Sequence, residues 1–218
     1  MIDIEEYAKG GEVDMMAFLN DLPDTNIDLD TLGVSRSEED NIFDEKKRKA
    51  WNNSIEARCD FNYKLRITCR SGINFISIWQ KSLYGRTLTD IKGDDSMVTF
   101  FAQHLAPTIT DTIGAYLSKG DWAIVTTPKR RHLTKNFATR ISEVIAQHLG
   151  ITFYEDVAFC RSRERINAVF SLGTLPMERN IIVFDDFVTT GQTLRAMYNL
   201  LNPLGKNLVF FAGINNKL

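Results

Sequence analysis

The sequence predicts an α/β protein built around a parallel sheet, and two observations support this prediction. From Ser96 onward, short apolar segments rich in β-branched residues alternate with longer segments whose apolar residues recur at helical spacing. Strands that alternate with helices form parallel sheets, because each parallel connection needs a crossover that a helix can supply. Such sheets bind ligands at the carboxyl ends of their strands, so a functional site is expected there.

The individual elements follow from local patterns along the chain. Apolar segments at 65–69 and 73–79 flank Arg70-Ser71-Gly72 and predict two strands of a hairpin. Two helical stripes follow at 98–105 and 109–117, separated by Pro107, which disfavours a helix interior. The remaining predicted elements are a strand at 122–126, a helix at 134–149, a strand at 152–159, a strand at 181–184 with a helix from 194, and a strand at 208–212.

Charge divides the chain unevenly. The first 45 residues hold fourteen acidic and two basic residues, a net charge of −12, whereas the whole chain has −2. The remainder therefore carries +10, which suits a polyanionic ligand. We assign residues 1–81 to an acidic N-terminal appendage and possible hood, and residues 82–218 to the core of the protein. Charge alone does not separate a phosphorylated small molecule from nucleic acid as the ligand.

Composition excludes several classes of protein. A hydrophobic content of 44% is sufficient for a core. Cys59, Cys69 and Cys160 have no close pairs, so neither a disulfide framework nor a zinc ribbon is indicated. No apolar segment approaches membrane-spanning length. We therefore expect a cytoplasmic protein without a membrane partner, which could form a homodimer.

The most informative segment combines a buried strand with polar residues. The strand at 181–184 is followed by Asp185 and Asp186, and then by Thr189-Thr190-Gly191-Gln192-Thr193, which leads into a helix. Unpaired N–H groups at a helix N-terminus favour an anion such as phosphate, and threonine hydroxyls add donors. The two acids are acceptors suited to ribose hydroxyls or to a magnesium shell. Together these features predict a sugar-phosphate site.

This segment resembles the 5-phosphoribosyl-1-pyrophosphate (PRPP) signature of the type I phosphoribosyltransferases, which has four hydrophobic residues, two acids, two hydrophobic residues and Thr-Thr-Gly-x-Thr. The resemblance implies the Rossmann-like parallel sheet of that family's core with an N-terminal hood. It also implies that Asp185 and Asp186 contact the ribose hydroxyls and that residues 189–193 hold the 5-phosphate. Mg²⁺ would be held mainly by PRPP, with the two acids acting on it indirectly.

Two further loops are assigned by the same resemblance. Thr127, Lys129 and Arg130 follow the strand at 122–126, where the family binds the pyrophosphate of PRPP; clustered cations stabilise a leaving group that gains negative charge. Arg163 lies in the segment 160–169, where the family has a flexible catalytic loop. This segment is shorter here, so its catalytic competence is left open, and Arg163 could equally belong to an exposed strand face.

Within that family the closest resemblance is to the ComF-like group, through Thr127-Pro128-Lys129-Arg130-Arg131 and residues 165–170, although the group's zinc ribbon is lacking. We predict an enzyme that transfers 5-phosphoribosyl from PRPP to a small nitrogen acceptor of unknown identity. Thr189 stands where hypoxanthine-guanine enzymes have an aspartate, which disfavours a 6-oxopurine acceptor. The alternatives are a non-enzymatic PRPP or nucleotide sensor, linked to DNA metabolism, and a nucleic-acid-binding module; we expect nucleic-acid binding to be weak at most.

Overall fold

The structure is a computed structural model that describes residues 57–128, 135–160 and 170–216, together with the backbone of two short strands near the N-terminus. The chain divides into two compact units, Met1–Arg48 and Lys49–Leu218. In the first unit, β1 (Ala8–Lys9) and β2 (Glu12–Val13) pair in antiparallel orientation. All features described below belong to the second unit.

A six-stranded sheet forms the centre of the second unit. Its spatial order is β4-β5-β12-β11-β7-β8; β4 is antiparallel to β5, and all other neighbours are parallel. The predicted α/β fold with a central parallel sheet is therefore confirmed. The strands of this sheet are β4 (Arg66–Arg70), β5 (Ile73–Gln80), β7 (Trp122–Thr126), β8 (Thr152–Tyr154), β11 (Asn180–Val188) and β12 (Asn207–Asn215).

Helices cover both faces of the sheet. One face packs against α1 (Leu88–Gly93), α2 (Ser96–Leu117) and α3 (Phe137–Leu149), and the other against α4 (Gln192–Leu201), which continues into a 3₁₀ turn. β11 alternates accordingly, with Ile182 and Phe184 on the first face and Ile181 and Val183 on the second. Each fully buried large apolar side chain contributes about 1.5–3 kcal/mol to folding. The sheet is thus fixed between two apolar layers.

Two small antiparallel ribbons flank the sheet. One joins β3 (Arg58–Cys59) to β6 (Arg86–Thr87), and the other joins β9 (Ala158–Cys160) to β10 (Phe170–Leu172). The predicted single strand at 152–159 is therefore wrong: its first part is β8 of the central sheet, and its end pairs with β10 instead. An apolar segment shows that a strand forms but does not identify its partner.

The prediction of two helical stripes separated at Pro107 is also corrected, because α2 continues through this residue. The apolar residues on both sides of Pro107 are buried in the same core, which outweighs the hydrogen bond that proline cannot donate. Thr108 and Thr110 donate side-chain hydrogen bonds to the carbonyls of His104 and Ala106, at 2.7 and 3.0 Å.

The hairpin predicted around residues 70–72 is confirmed, with Arg70 paired to Ile73. Its second strand, β5, pairs with β12 and so joins the hairpin to the central sheet. The boundary predicted after residue 81 lies inside the second compact unit, because β4 and β5 are part of its sheet. A hood role for residues 1–81 stays a prediction. Among the described residues, no helix combines the length and the apolar character needed to cross a membrane.

Candidate functional site

Asp185 and Asp186, the acid pair, lie on an ordered strand whose two neighbours have different lengths. β11 pairs with β7 only as far as Phe184, opposite Thr126, but it pairs with β12 as far as Val188, opposite Asn215. The sequence pattern predicted a strand that ends at the acids. In the structure the strand instead continues past them to Val188. Because β7 has already ended, one side of β11 is open at the acid pair, while β12 holds the other side.

On the side of β11 where β7 has ended, the first residue of the loop after β7 contacts the strand instead. The hydroxyl of Thr127 donates to Oδ1 of Asp185 at 3.0 Å, and its backbone N–H donates to the carbonyl of Phe184 at 3.2 Å. Thr127 is buried. These contacts join the loop predicted to bind pyrophosphate to the acids predicted to bind ribose.

Asp186 has a different environment, which includes a cation. Lys92 Nζ lies 2.8 Å from Oδ2 of Asp186, and the backbone N–H of Phe187 donates to Oδ1 at 2.9 Å. Asp186 is 7% exposed, whereas the Lys92 side chain is about half exposed and its Nζ lies 4.6 Å from the centre of the Phe187 ring. Sequence analysis did not identify Lys92 as a site residue, because its contact with Asp186 arises only in the folded chain.

The Thr-Gly loop, residues 189–193, follows β11 and includes the first two residues of α4. Gly191 is the N-cap of α4 with φ of 79°, a left-handed conformation that favours glycine. Asn216 Nδ2 donates to the hydroxyl of Thr189 at 3.1 Å, and the backbone N–H of Gln192 donates to the hydroxyl of Thr190 at 3.4 Å. The N–H groups in the first turn of α4 and the helix dipole favour an anion at this loop.

The hairpin turn, residues 70–72, lies against the Thr-Gly loop. The hydroxyl of Ser71 donates to the carbonyl of Thr190 at 2.8 Å. A Cβ atom on Gly191 would lie 2.7 Å from the Cβ of Arg70, so only glycine allows the two segments to approach this closely. The sequence predicted both segments but not their contact, since nothing in the local pattern indicates that the hairpin turn meets this loop.

The other predicted site residues fall outside the described ranges. Lys129 and Arg130 follow Pro128, where the described part of the chain is interrupted until residue 135. Arg163 lies in the segment between β9 and β10. Their predicted roles stay predictions. The structure does show where the loop that contains Lys129 and Arg130 begins: it leaves the end of β7 beside the acid pair.

The acid pair suits a magnesium ion that arrives with its phosphates. Carboxylate oxygens are hard ligands, and Mg²⁺ typically takes only one or two from the protein when phosphate oxygens supply others. In the part of the chain that the structure describes, no group of three or more His, Cys, Asp or Glu side chains could hold a metal by itself. Asp185 and Asp186 therefore fit indirect contact with Mg²⁺ better than a metal site built by the protein alone.

The comparisons with known proteins give structural neighbours only. No protein-family model matches the sequence, and no curated protein matches it either. The chain is similar to a solved adenine phosphoribosyltransferase at 15% identity, over 78% of this chain and 99% of that one, with a TM-score of 0.42. It is similar to an orotate phosphoribosyltransferase from Aeropyrum pernix at 14% identity, over 73% and 75%, with a TM-score of 0.36. A Helicobacter pylori xanthine-guanine-hypoxanthine phosphoribosyltransferase has 10% identity, over 57% and 86%, and a TM-score of 0.40.

Proposed function

We propose that the chain is a PRPP-dependent phosphoribosyltransferase that transfers 5-phosphoribosyl to a nitrogen acceptor and releases pyrophosphate. One observation supports this most directly: the acid pair and the Thr-Gly loop are consecutive on one strand–loop–helix unit, at the carboxyl end of a parallel sheet. A diol can bind carboxylates while an attached phosphate binds a helix N-terminus. Only Phe187 and Val188 separate the two features in sequence, so one ligand that carries both a ribose diol and a 5-phosphate could contact both.

Each part of the site has a distinct role in this reaction. Asp185 and Asp186 accept hydrogen bonds from the ribose hydroxyls, and the N–H groups and hydroxyls of residues 189–193 bind the 5-phosphate. The bond between C1 and the pyrophosphate oxygen breaks while the acceptor nitrogen bonds to C1 from the opposite face, and the nitrogen then loses its proton. Mg²⁺, when bound with PRPP, neutralises charge on the diphosphate. Lys129 and Arg130 stabilise the charge that builds on the departing pyrophosphate.

Lys92 reduces the negative charge of the acid pair, which otherwise would repel an anionic substrate. Two adjacent carboxylates repel a polyanion, and PRPP is strongly anionic. The ammonium group of Lys92, 2.8 Å from Asp186, offsets one of these charges before ligand arrives. Asp186 can still accept a ribose hydroxyl, because a carboxylate has about four lone-pair sites.

Ligand binding tests the proposal. Mg-PRPP and ribose 5-phosphate should raise the melting temperature, because a ligand that binds only the folded state stabilises it. Asp186→Asn should reduce this shift, since it replaces an acceptor with a donor. Asp121→Asn is the matched control, because Asp121 is exposed and immediately precedes β7, away from the carboxyl ends. If neither ligand shifts the transition at millimolar concentration, the proposed function is wrong.

Kinetics then separate an enzyme from a sensor. Pyrophosphate release should be measured across the common nucleobases; with a productive acceptor, Lys129→Ala and Arg130→Ala should reduce turnover more than PRPP affinity. Lys119→Ala, at an exposed lysine after α2, is the control. PRPP binding without pyrophosphate release from any base would favour the nucleotide sensor, and with it the ComF-like assignment. Tight DNA binding at physiological salt, uncompeted by PRPP, would favour the nucleic-acid module.

A further inference from the structure

The side chain of Arg70 extends along the Thr-Gly loop. Its Cβ lies next to Gly191, where an added Cβ would approach it to 2.7 Å. Its guanidinium reaches the end of β12, where Nη2 and Nε donate to Oδ1 of Asn215 at 2.7 and 3.2 Å. Asn215 is paired with Val188, the residue that precedes the loop. The positive charge of Arg70 is therefore held beside residues 189–193.

The partner of this cation is neutral. Among the described residues, Arg70 forms no ion pair, and its Nη1 has no hydrogen-bond partner. Burial lowers the pKa of Arg70, but a guanidinium remains charged at neutral pH. The side chain thus carries a partly desolvated charge that no acid in the described part of the chain offsets.

The neutral partner is itself fixed in orientation. Asn215 Nδ2 donates to Oε1 of Gln80 at 2.8 Å, and the amide of Gln80 donates to the hydroxyl of Ser77 at 3.1 Å. This chain of hydrogen bonds turns the carbonyl oxygen of Asn215 toward Arg70. An aspartate at this position would hold the guanidinium equally well but would cancel its charge. Asparagine holds the cation in place and leaves its charge to attract another anion.

We propose that Arg70 is a further phosphate-binding residue of this site, contacting the 5-phosphate held by the Thr-Gly loop, and that Asn215 is its positioning residue. This inference rests on the proposed function. A phosphate monoester carries close to two negative charges at neutral pH, which the partial charge of one helix N-terminus does not balance. A guanidinium matches phosphate oxygens in geometry and supplies a full charge.

Titration with ribose 5-phosphate, measured by calorimetry without acceptor or turnover, tests the inference. Arg70→Met keeps much of the side-chain stem but removes the charge, and should weaken binding roughly 10- to 100-fold, the range for a charge-assisted hydrogen bond. Arg70→Lys should recover part of the loss. Arg66→Met, at an exposed arginine of the same strand, makes the same change in net charge and should have no effect.

A second variant, Asn215→Asp, tests the role of the Arg70 charge without replacing Arg70, in case Arg70→Met is unstable. It gives Arg70 an internal counter-ion and should weaken ribose 5-phosphate binding roughly 10-fold. Because it also removes the amide that donates to Gln80 at 2.8 Å, the melting temperature of the unliganded variant should be modestly lower and is measured alongside. If Arg70 has only a structural role, the loss of affinity in Asn215→Asp should be no larger than in Asn207→Asp, which adds the same negative charge at the opposite end of β12.

The outcomes separate the inference from the proposed function. If the native protein binds ribose 5-phosphate and Asn215→Asp binds it equally well, the role of Arg70 is refuted and the proposed function stands. Equal losses from Arg70→Met and Arg66→Met would also refute it, since net charge alone would then explain the effect. If the native protein binds neither ribose 5-phosphate nor Mg-PRPP, both the inference and the proposed function are wrong.

Discussion

Replacing Gly191 with alanine should destabilise the protein through two separable costs. The first is conformational, since φ of 79° places an alanine in the left-handed region, at about 1–2 kcal/mol. The second is steric, since the new Cβ would lie 2.7 Å from the Cβ of Arg70 and 3.0 Å from its carbonyl oxygen. Relieving that overlap requires backbone movement, which costs about 1–3 kcal/mol. Alanine also restricts the unfolded chain, which offsets about 0.4–1 kcal/mol. The net loss should be about 1–4.6 kcal/mol.

Two other glycines provide controls that separate these costs. Gly150 has φ of 66° but no atom within 4 Å of an added Cβ, so Gly150→Ala carries only the conformational cost, about 1 kcal/mol after the same offset. Gly93, the last residue of α1, has neither a positive φ nor a close neighbour, so Gly93→Ala carries neither cost and should stabilise the protein by about 0.4–1 kcal/mol. Urea unfolding followed by tryptophan fluorescence measures all three. If Gly191→Ala costs no more than Gly150→Ala, the close contact between the hairpin turn and the Thr-Gly loop is not rigid, and this reasoning is refuted.

Three further predictions concern the rest of the described chain. Burial raises the pKa of Cys59 to about 11, so iodoacetamide at pH 8 should label the exposed Cys69 in the native protein and Cys59 only after unfolding; peptide mass spectrometry distinguishes them, and fast native labelling of Cys59 would contradict its burial. Hydrogen bonds, of which the one from Ser96 has the largest effect, lower the pKa of Asp94 below its usual value of 3.8. The ionised carboxylate therefore stabilises the fold above pH 3.8, and this contribution is lost as the pH falls through the lowered pKa of the folded protein. The difference in free energy of unfolding between the native protein and Asp94→Asn should therefore shrink when urea unfolding is repeated at pH 3. A difference that stays constant would contradict a stabilising role for the ionised Asp94. Phe101 is fully buried among five aromatic rings, and Phe101→Ala should cost about 3–5 kcal/mol in the same assay. A loss below about 1 kcal/mol would show that the surrounding rings fill the cavity.

Local patterns predicted the parts of the site that are local in sequence. β7 was predicted with its observed bounds, since five consecutive apolar or β-branched residues between polar ones indicate a buried strand. The acid pair and the Thr-Gly loop were predicted together because they occupy one continuous segment. Their physical relation, a strand carboxyl end leading into a helix N-terminus, depends on neighbours in sequence only.

The contacts that complete the site could not be predicted in this way. Lys92 meets Asp186 across 94 positions of the chain, and Arg70 meets Asn215 across 145. Neither residue has a local feature that distinguishes it from other basic residues in the sequence. The continuation of β11 past the acids depends on β12, whose pairing extends further than that of β7. These contacts join segments that are distant in sequence, so they depend on the order of the strands in the folded sheet.

The position of β12 in the sheet has a consequence for how the chain folds. This strand comes last in chain order, yet it lies between β5 and β11, and its pairing with β5 joins residues as far apart as Gln80 and Asn215. During synthesis, β5 cannot gain its parallel neighbour until more than a hundred later residues have been made. Closure over such a distance slows folding. Until then the apolar side chains of β5 lack their final partner, so the nascent chain should be most prone to aggregation, and most dependent on chaperones, before β12 is synthesised.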